Sequence, residues 1–272
     1  MKWKLSARAL YLGIVTLVLL GILIIIVRIS QTTLRKPAFA SGWFLFGVMV
    51  FLAAYNGRKK LAMIPLGKAS TWLQLHVIGG FFALLVFWSH TGELWPRGGY
   101  ERVLALLFYL VSLSGIFGWL LQMYFPHLMT DSGVEVIYER IPAELANLRE
   151  QAEAIVLNCT TETGSPTLAR HYVERVDWFL RQPRFFLFNA IGSEKARMWR
   201  RQQHAHVLRY LNSREQKFLN ELTEIIDYKL ELDVQYAAQT IMKRWLFLHV
   251  PLAMALMLMA VWHVIVVHVY TA

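Results

Sequence analysis

Two apolar stretches of this chain each carry a pair of histidines at one identical spacing: His76-VIGGFFALLVFWS-His90 and His249-VPLAMALMLMAVW-His263. In an α-helix, fourteen steps of about 100° bring a side chain back to within about 40° of its starting direction. The rise over the same steps is about 21 Å, most of a ~30 Å hydrocarbon core. Each stretch, folded as a spanning helix, therefore shows one imidazole near each membrane face, both on one side. Two such helices packed together present two facing histidine pairs, stacked across the bilayer.

Histidine inside an apolar span is rare and marks a functional position. For any one of them, the bland reading is a polar group satisfied by a neighbouring carbonyl. That reading suits His127, His171, His204 and His206. It does not suit four histidines repeating one spacing on two helices. Imidazoles on opposed helices match the two axial positions of haem b, held without a covalent link. His76, His90, His249 and His263 are thus the expected iron ligands of two haems b.

Composition bounds the rest. Hydrophobic residues make up 56% of the 272 and charged residues 17%, and several apolar runs are long enough to span a bilayer. The net charge of +10 does not point to nucleic acid, because the excess positive charge sits at the ends of apolar runs. Sixteen of the eighteen acids fall between Asp131 and Asp233, with Glu93 and Glu101 the exceptions. The single cysteine, Cys159, rules out a disulfide, a C-x-x-C-H haem attachment and an iron–sulfur cluster built from this chain alone.

Five apolar runs follow one another: Ala9–Val27, Ser41–Tyr55, Thr71–Thr91, Val103–Phe125 (ended by Pro126) and Trp245–Tyr270. The first competes with a signal-peptide reading, since Ala38-Phe39-Ala40 resembles a cleavage site. Its length and the intervening Arg28, Arg35 and Lys36 favour a retained span. The expected organisation is a first transmembrane helix and outer loop (1–40), transmembrane helices two to four (41–126), a soluble helical domain (127–242) and a fifth transmembrane helix (243–272). The fold class is all-α membrane protein, with five transmembrane helices, a four-helix haem-binding bundle and a helical cytoplasmic insertion.

Flanking charge sets the orientation. With the N-terminus inside, the inner flanks hold Lys2, Lys4, Arg8, Arg58, Lys59, Lys60, Lys68, Lys243 and Arg244, against Arg28, Arg35, Lys36, Arg97 and Arg102 outside. The expected location is the bacterial inner membrane, N-terminus and soluble domain cytoplasmic, C-terminus outside. Both histidine helices then run in the same direction. Pairing is by depth: His76 with His249 at the inner level, His90 with His263 at the outer.

Within the soluble segment, Pro142 and Pro166 suit first helical turns, Ser193 suits an N-cap, and Ser213-Arg-Glu-Gln216 suits a capping box. Asn158–Gly164 reads as a loop. The helix after Ser213 is expected to run unbroken into the fifth span. Pro251 is expected to bend that helix near His249. Gly79, Gly80, Gly115 and Gly118 are candidate places for flat porphyrin to approach the backbone, with helix–helix packing the competing role. Phe81, Phe82, Phe87, Trp88 and Trp262 are candidate haem walls. Arg97, Lys243 and Arg244 are candidate propionate partners, although positive-inside anchoring is the preferred reading of the last two. His268 lies five residues beyond His263, on another face near the outer end of the fifth span, where an interfacial polar residue is the favoured reading and a quinone contact the competing one.

These residues resemble the haem-bearing half of cytochrome b from the quinol–cytochrome c complexes, where two parallel helices each carry His-x13-His. Ser114-Gly115-Ile116-Phe117-Gly118-Trp119 is similar to the glycine-rich stretch of that family. The resemblance extends over spans two to five and implies ligation by the same four histidines. The chain departs from the family in its extra first span, its inserted soluble domain, and its lack of a second half with the Pro-Glu-Trp-Tyr quinol-oxidation motif. The stretch from Arg58 to Thr91 is also similar to stand-alone di-haem cytochrome b subunits that anchor respiratory enzymes.

The function these features imply is that of a di-haem b subunit of a respiratory or photosynthetic redox complex. Electrons would cross the membrane between a redox partner protein and quinone or a second partner. No catalytic residue is assigned, and substrate chemistry would belong to a partner subunit of the oxidoreductase complex. A quinone site within the chain, at His268 or Glu93 outside or beside Lys68 inside, is a variant of that reading. The alternative, from another class, is a non-redox membrane anchor or signalling protein whose cytoplasmic helical domain is the active part.

Overall fold

The computed structural model describes Val18, residues 21–22, Pro37–Arg58, 68–131 and 133–271. Apart from Val18, Gly21 and Ile22, the first apolar run lies outside the described residues. The described chain is all-helical. Helix α1 is Pro37–Arg58, α2 is Ala69–Thr91 and α3 is Gly99–Asp131. After a 3₁₀ turn at Tyr138–Arg140 come α4 (Ile141–Thr163), α5 (Thr167–His171), a π-helical turn (Tyr172–Val176), α6 (Asp177–Leu180), α7 (Phe186–Ala190), α8 (Lys195–Leu208) and α9 (Glu215–Thr271). Four of these are long and apolar enough to cross a membrane: α1, α2, α3 and α9.

The described residues divide into two compact units: those up to Trp119 together with those from Trp245 on, and Leu120–Arg244. In the first unit, α1 and α2 pack closely side by side. Its core joins Leu45 and Met49 of α1, Phe82, Ala83, Val86 and Phe87 of α2, Ala105 and Phe108 of α3, and Leu256 and Ala260 of α9. Ala83 and Leu256 stand midway along the two histidine spacings, so this apolar layer separates the two histidine levels. Phe87 stacks on Phe108 with centroids 4.2 Å apart and planes at 12°. Helix α2 ends where Gly92 takes φ 66° and its N–H bonds Trp88 O at 3.0 Å. A left-handed residue there closes the last turn, and glycine adopts that conformation without steric penalty.

The second unit is built around α4, the α5–α6 segment and the first half of α9, with Leu145, Leu148, Ala152, Leu168, Val176, Phe179, Leu180, Leu222 and Leu232 in its core. Three local expectations are corrected here. Asn158–Gly164 is not a loop: α4 runs through Thr163 and is capped by Gly164 at φ 68°. The hydroxyls of Thr160, Thr161 and Thr163 donate back to Val156 O, Leu157 O and Cys159 O at 2.7–2.9 Å, so these polar residues satisfy themselves inside the helix. The cap of α9 lies one residue before the expected box, at Asn212. Asn212 Oδ1 accepts from Arg214 N and Glu215 N, both at 2.9 Å, and Glu215 Oε2 accepts from Asn212 N at 2.8 Å. Reciprocal side-chain bonds of this kind satisfy the orphan donors of a helix start. Finally, α3 continues past Pro126 to Asp131. Thr130 Oγ1 donates to Pro126 O at 2.8 Å in that last turn.

The long C-terminal helix is continuous from Glu215 to Thr271 and contains Pro251. The second unit also holds an ion pair away from water. Lys229 Nζ bonds Asp233 Oδ2 at 2.6 Å, with side-chain exposures of 0% and 1%. Lys229 donates as well to Gln182 O at 3.1 Å and stands 3.7 Å over the Phe179 ring. Asp233 Oδ2 also accepts from Arg184 N at 3.2 Å.

Candidate functional site

The structure brings the four histidines together in two pairs. The ring centroids of His76 and His249 lie 6.5 Å apart with planes at 78°. Those of His90 and His263 lie 6.4 Å apart with planes at 86°. Helix α2 supplies one member of each pair and α9 the other, and pairing follows depth.

Each pair can be compared with the geometry of a shared metal. With a metal–imidazole bond of about 2.0 Å and about 1.1 Å from ring nitrogen to ring centre, two axial imidazoles in line have centroids about 6.2 Å apart. Both observed separations fall within a few tenths of an ångström of that spacing. Imidazoles in direct van der Waals contact could close further. Among the described residues there is no group of three or more His, Cys, Asp or Glu placed to hold a bare metal ion. A porphyrin-held iron would ask the protein for no more than two ligands, a number that one histidine pair could supply.

Three of the four rings are anchored through Nδ1. His76 Nδ1 is 3.1 Å from Leu52 O, and His90 Nδ1 is 2.9 Å from Ala38 O. A carbonyl only accepts, so Nδ1 carries the proton in both and Nε2 keeps its lone pair. His249 Nδ1 is 2.7 Å from Ser114 Oγ, and that hydroxyl donates to Val111 O at 2.9 Å. With its proton committed to Val111, Ser114 Oγ accepts from His249. Metal-bound histidines are oriented in this way, through a bond from the nitrogen that does not ligate. His263 stacks instead on Tyr100, with centroids 6.1 Å apart and planes at 16°, and Tyr100 O–H donates to Met259 O at 2.8 Å.

Further neighbours fix the rings sideways. Tyr55 lies 5.0 Å from His76, and Trp245 stacks 5.3 Å from His249 at 24°. Trp245 Nε1 donates to Ser114 O at 2.7 Å, so one residue of α3 holds both aromatic side chains. Gly42 of α1 lies against His90, where an added Cβ would come 2.8 Å from its Cε1.

The candidate glycines divide. A Cβ on Gly115 would lie 3.7 Å from His249 Cε1, beside the His76–His249 pair. Gly118 faces the Trp245 indole, which a Cβ would strike. Gly79 faces Leu52, whose Cδ2 would be 2.9 Å away, while Gly80 has open space beside it. Of the candidate walls, Phe82 and Phe87 are buried, Phe81 meets Trp119 edge to face, Trp88 Nε1 donates to Tyr109 Oη at 3.1 Å, and Trp262 is exposed. Arg97 pairs with Glu93 at 3.4 Å. In the second unit, Lys243 pairs with Glu139.

His268 is exposed, with Nδ1 2.8 Å from Val264 O. Its ring lies 5.4 Å from Phe39 and 5.5 Å from Trp43. The residues that sequence reading missed are Ala38, Gly42 and Leu52 of α1 and Tyr100 of α3. Backbone carbonyls carry no sequence signal, but glycine in the first turns of an apolar helix was a legible one. No protein-family model, curated protein or solved structure matches the chain.

Proposed function

We propose that the chain is a di-haem b membrane subunit that carries electrons across the bilayer. The observation that carries this reading is the pair of histidine separations, 6.5 and 6.4 Å, each close to the spacing of two axial imidazoles. His76 and His249 would hold the inner haem, and His90 and His263 the outer. Bound haem b supplies reversible one-electron exchange at its iron. The chain's own part is positional. Leu52 O, Ala38 O and Ser114 Oγ hold three imidazoles through Nδ1, and Tyr100 holds the fourth by stacking. The apolar layer of Phe82, Val86 and Leu256 keeps water from the space between the two levels.

This reading extends to a five-span chain in a bacterial inner membrane, with its N-terminus and the 127–242 segment cytoplasmic. Redox partner proteins would deliver or remove electrons at the two faces. Quinone is the second proposed partner, and His268 is the observation that favours it. Its Nδ1 lies 2.8 Å from Val264 O, which leaves Nε2 to meet a quinol hydroxyl about one to two turns beyond His263.

A reduced-minus-oxidised visible spectrum with a pyridine haemochrome assay on the purified full chain tests the proposal. Two haems b per chain are expected. Protein that stays colourless after reconstitution with ample haem would overturn it.

A further inference from the structure

Between α6 and α8, the second unit turns a cluster of apolar side chains away from its own core. Phe185 opens the segment at φ 54°, ψ 31°, a left-handed conformation that non-glycine residues rarely adopt. Helix α7 then buries Asn189 and Ala190, and Asn189 Nδ2 donates to Arg184 O at 3.0 Å. The opposite side is left bare: Leu187 is 71% exposed, Phe188 37% and Ile191 69%. A lone exposed apolar residue is ordinary, but three together on one short, strained element form a patch.

The neighbours of the segment fix its place. Gly192, at φ 66°, backs onto α3, where a Cβ would lie 3.3 Å from Tyr124 Oη and 3.5 Å from Leu128 Cδ1. Both residues belong to the Gly99–Thr130 stretch that is apolar enough to span a membrane. The Phe186 ring meets Tyr236 at 6.2 Å and lies 5.9 Å from the Arg244 guanidinium. Arg244 immediately precedes the apolar run of α9. Within its own unit the segment thus packs against Tyr124 and Leu128 of α3 and lies near Arg244, the residue just before the apolar run of α9. From Arg181 to Arg201 the chain has six basic residues; Arg181, Arg197 and Arg200 pair with Asp177, Glu194 and Asp227, and Arg184, Lys195 and Arg201 form no ion pair among the described residues. Lys195 Nζ stands 3.9 Å over the Phe188 ring, an apolar body beneath a cationic tip.

We propose that residues 186–191 are an interfacial element that sinks Leu187, Phe188 and Ile191 into the bilayer surface, with the surrounding basic residues against anionic lipid phosphates. An apolar face rimmed by Lys and Arg binds such surfaces through both terms. This inference does not depend on haem.

The test uses the full chain in nanodiscs of phosphatidylcholine and phosphatidylglycerol. Leu187→Cys and Ile191→Cys are each labelled with bimane, and Leu157→Cys, at a 65% exposed position on α4, serves as the reference. Cys159 is fully buried, so wild-type protein carried through the labelling is the blank. The labels at 187 and 191 should be quenched severalfold more by shallow doxyl lipid than the label at 157, and severalfold less by aqueous iodide. Removing phosphatidylglycerol should weaken the lipid quenching. Iodide quenching equal to that at 157 would overturn the proposal. So would protection from both quenchers, the mark of a protein partner or a second copy. Lipid quenching that ignores phosphatidylglycerol would remove the role of the basic residues.

Discussion

Ser114 Oγ lies 2.7 Å from His249 Nδ1 while donating its own proton to Val111 O at 2.9 Å. The hydroxyl can therefore only accept from the imidazole, which fixes the ring's tautomer and aim. Ser114→Ala should leave His249 in place but free to turn. Loss of an orienting partner of this kind typically weakens metal binding by about 10–100-fold. Haem titration of the apoprotein should show one site weakened by about that factor and the other unchanged.

Gly42 leaves room for His90 that no other residue would. Gly42→Val should push the imidazole off its position, because even a Cβ would come within 2.8 Å of Cε1. Haem content should fall from two per chain to one. Gly47, on the same helix, has nothing within 4 Å of an added Cβ, and Gly47→Ala should keep both haems.

Lys229 and Asp233 face each other in full burial, at 0% and 1% exposure. Lys229→Met leaves the carboxylate without its countercharge, and breaking a buried pair from one side costs about 3–5 kcal/mol. Denaturant unfolding of the full chain in detergent should show that loss. The double change Lys229→Met with Asp233→Leu should recover most of it, since no charge is then stranded.

The start of α9 depends on the reciprocal bonds of Asn212 and Glu215. Asn212→Ala removes the acceptor for two backbone donors and should lower stability by about 1 kcal/mol. Ser213→Ala, at the position that sequence alone would favour, should cost much less in the same thermal melts.

Burial, with the positive fields of His206 and Arg175, holds His171 down at about 4 from its ordinary 6.5. Below pH 6.5 the unfolded chain takes up a proton that the folded chain refuses. Stability contributed by the neutral ring is complete above that pH and is lost as pH falls toward about 4. Melting temperature should therefore drop across this window, and His171→Gln should flatten the drop.

The histidine pairs were legible because two periodicities, 3.6 residues per turn and a fourteen-residue interval, meet on apolar helices that admit few polar groups. The partners that orient them were not. Leu52 and Ala38 act through backbone carbonyls, which every residue has. Asn158–Gly164 looked like a loop because Thr and Asn favour turns, yet threonine hydroxyls can bond back within a helix, and Cys159 is buried in the core beside them. At Asn212 and Ser213 two good cap residues stood side by side, and only the reach of Glu215 decided between them. Lys229 and Asp233 showed an ordinary i, i+4 pairing, but burial of the pair depends on the packing of α6 and the segment after it. That is a tertiary fact which spacing does not encode.

The most direct test of bis-histidine ligation is the reduced-minus-oxidised spectrum of four single variants, His76→Ala, His90→Ala, His249→Ala and His263→Ala, together with the two same-level doubles. Ligation by depth requires that His76→Ala and His249→Ala remove the same spectral component, that His90→Ala and His263→Ala remove the other, and that each double loses no more than its singles. Loss patterns among the variants that cross the levels, or variants that keep both haems, would contradict it.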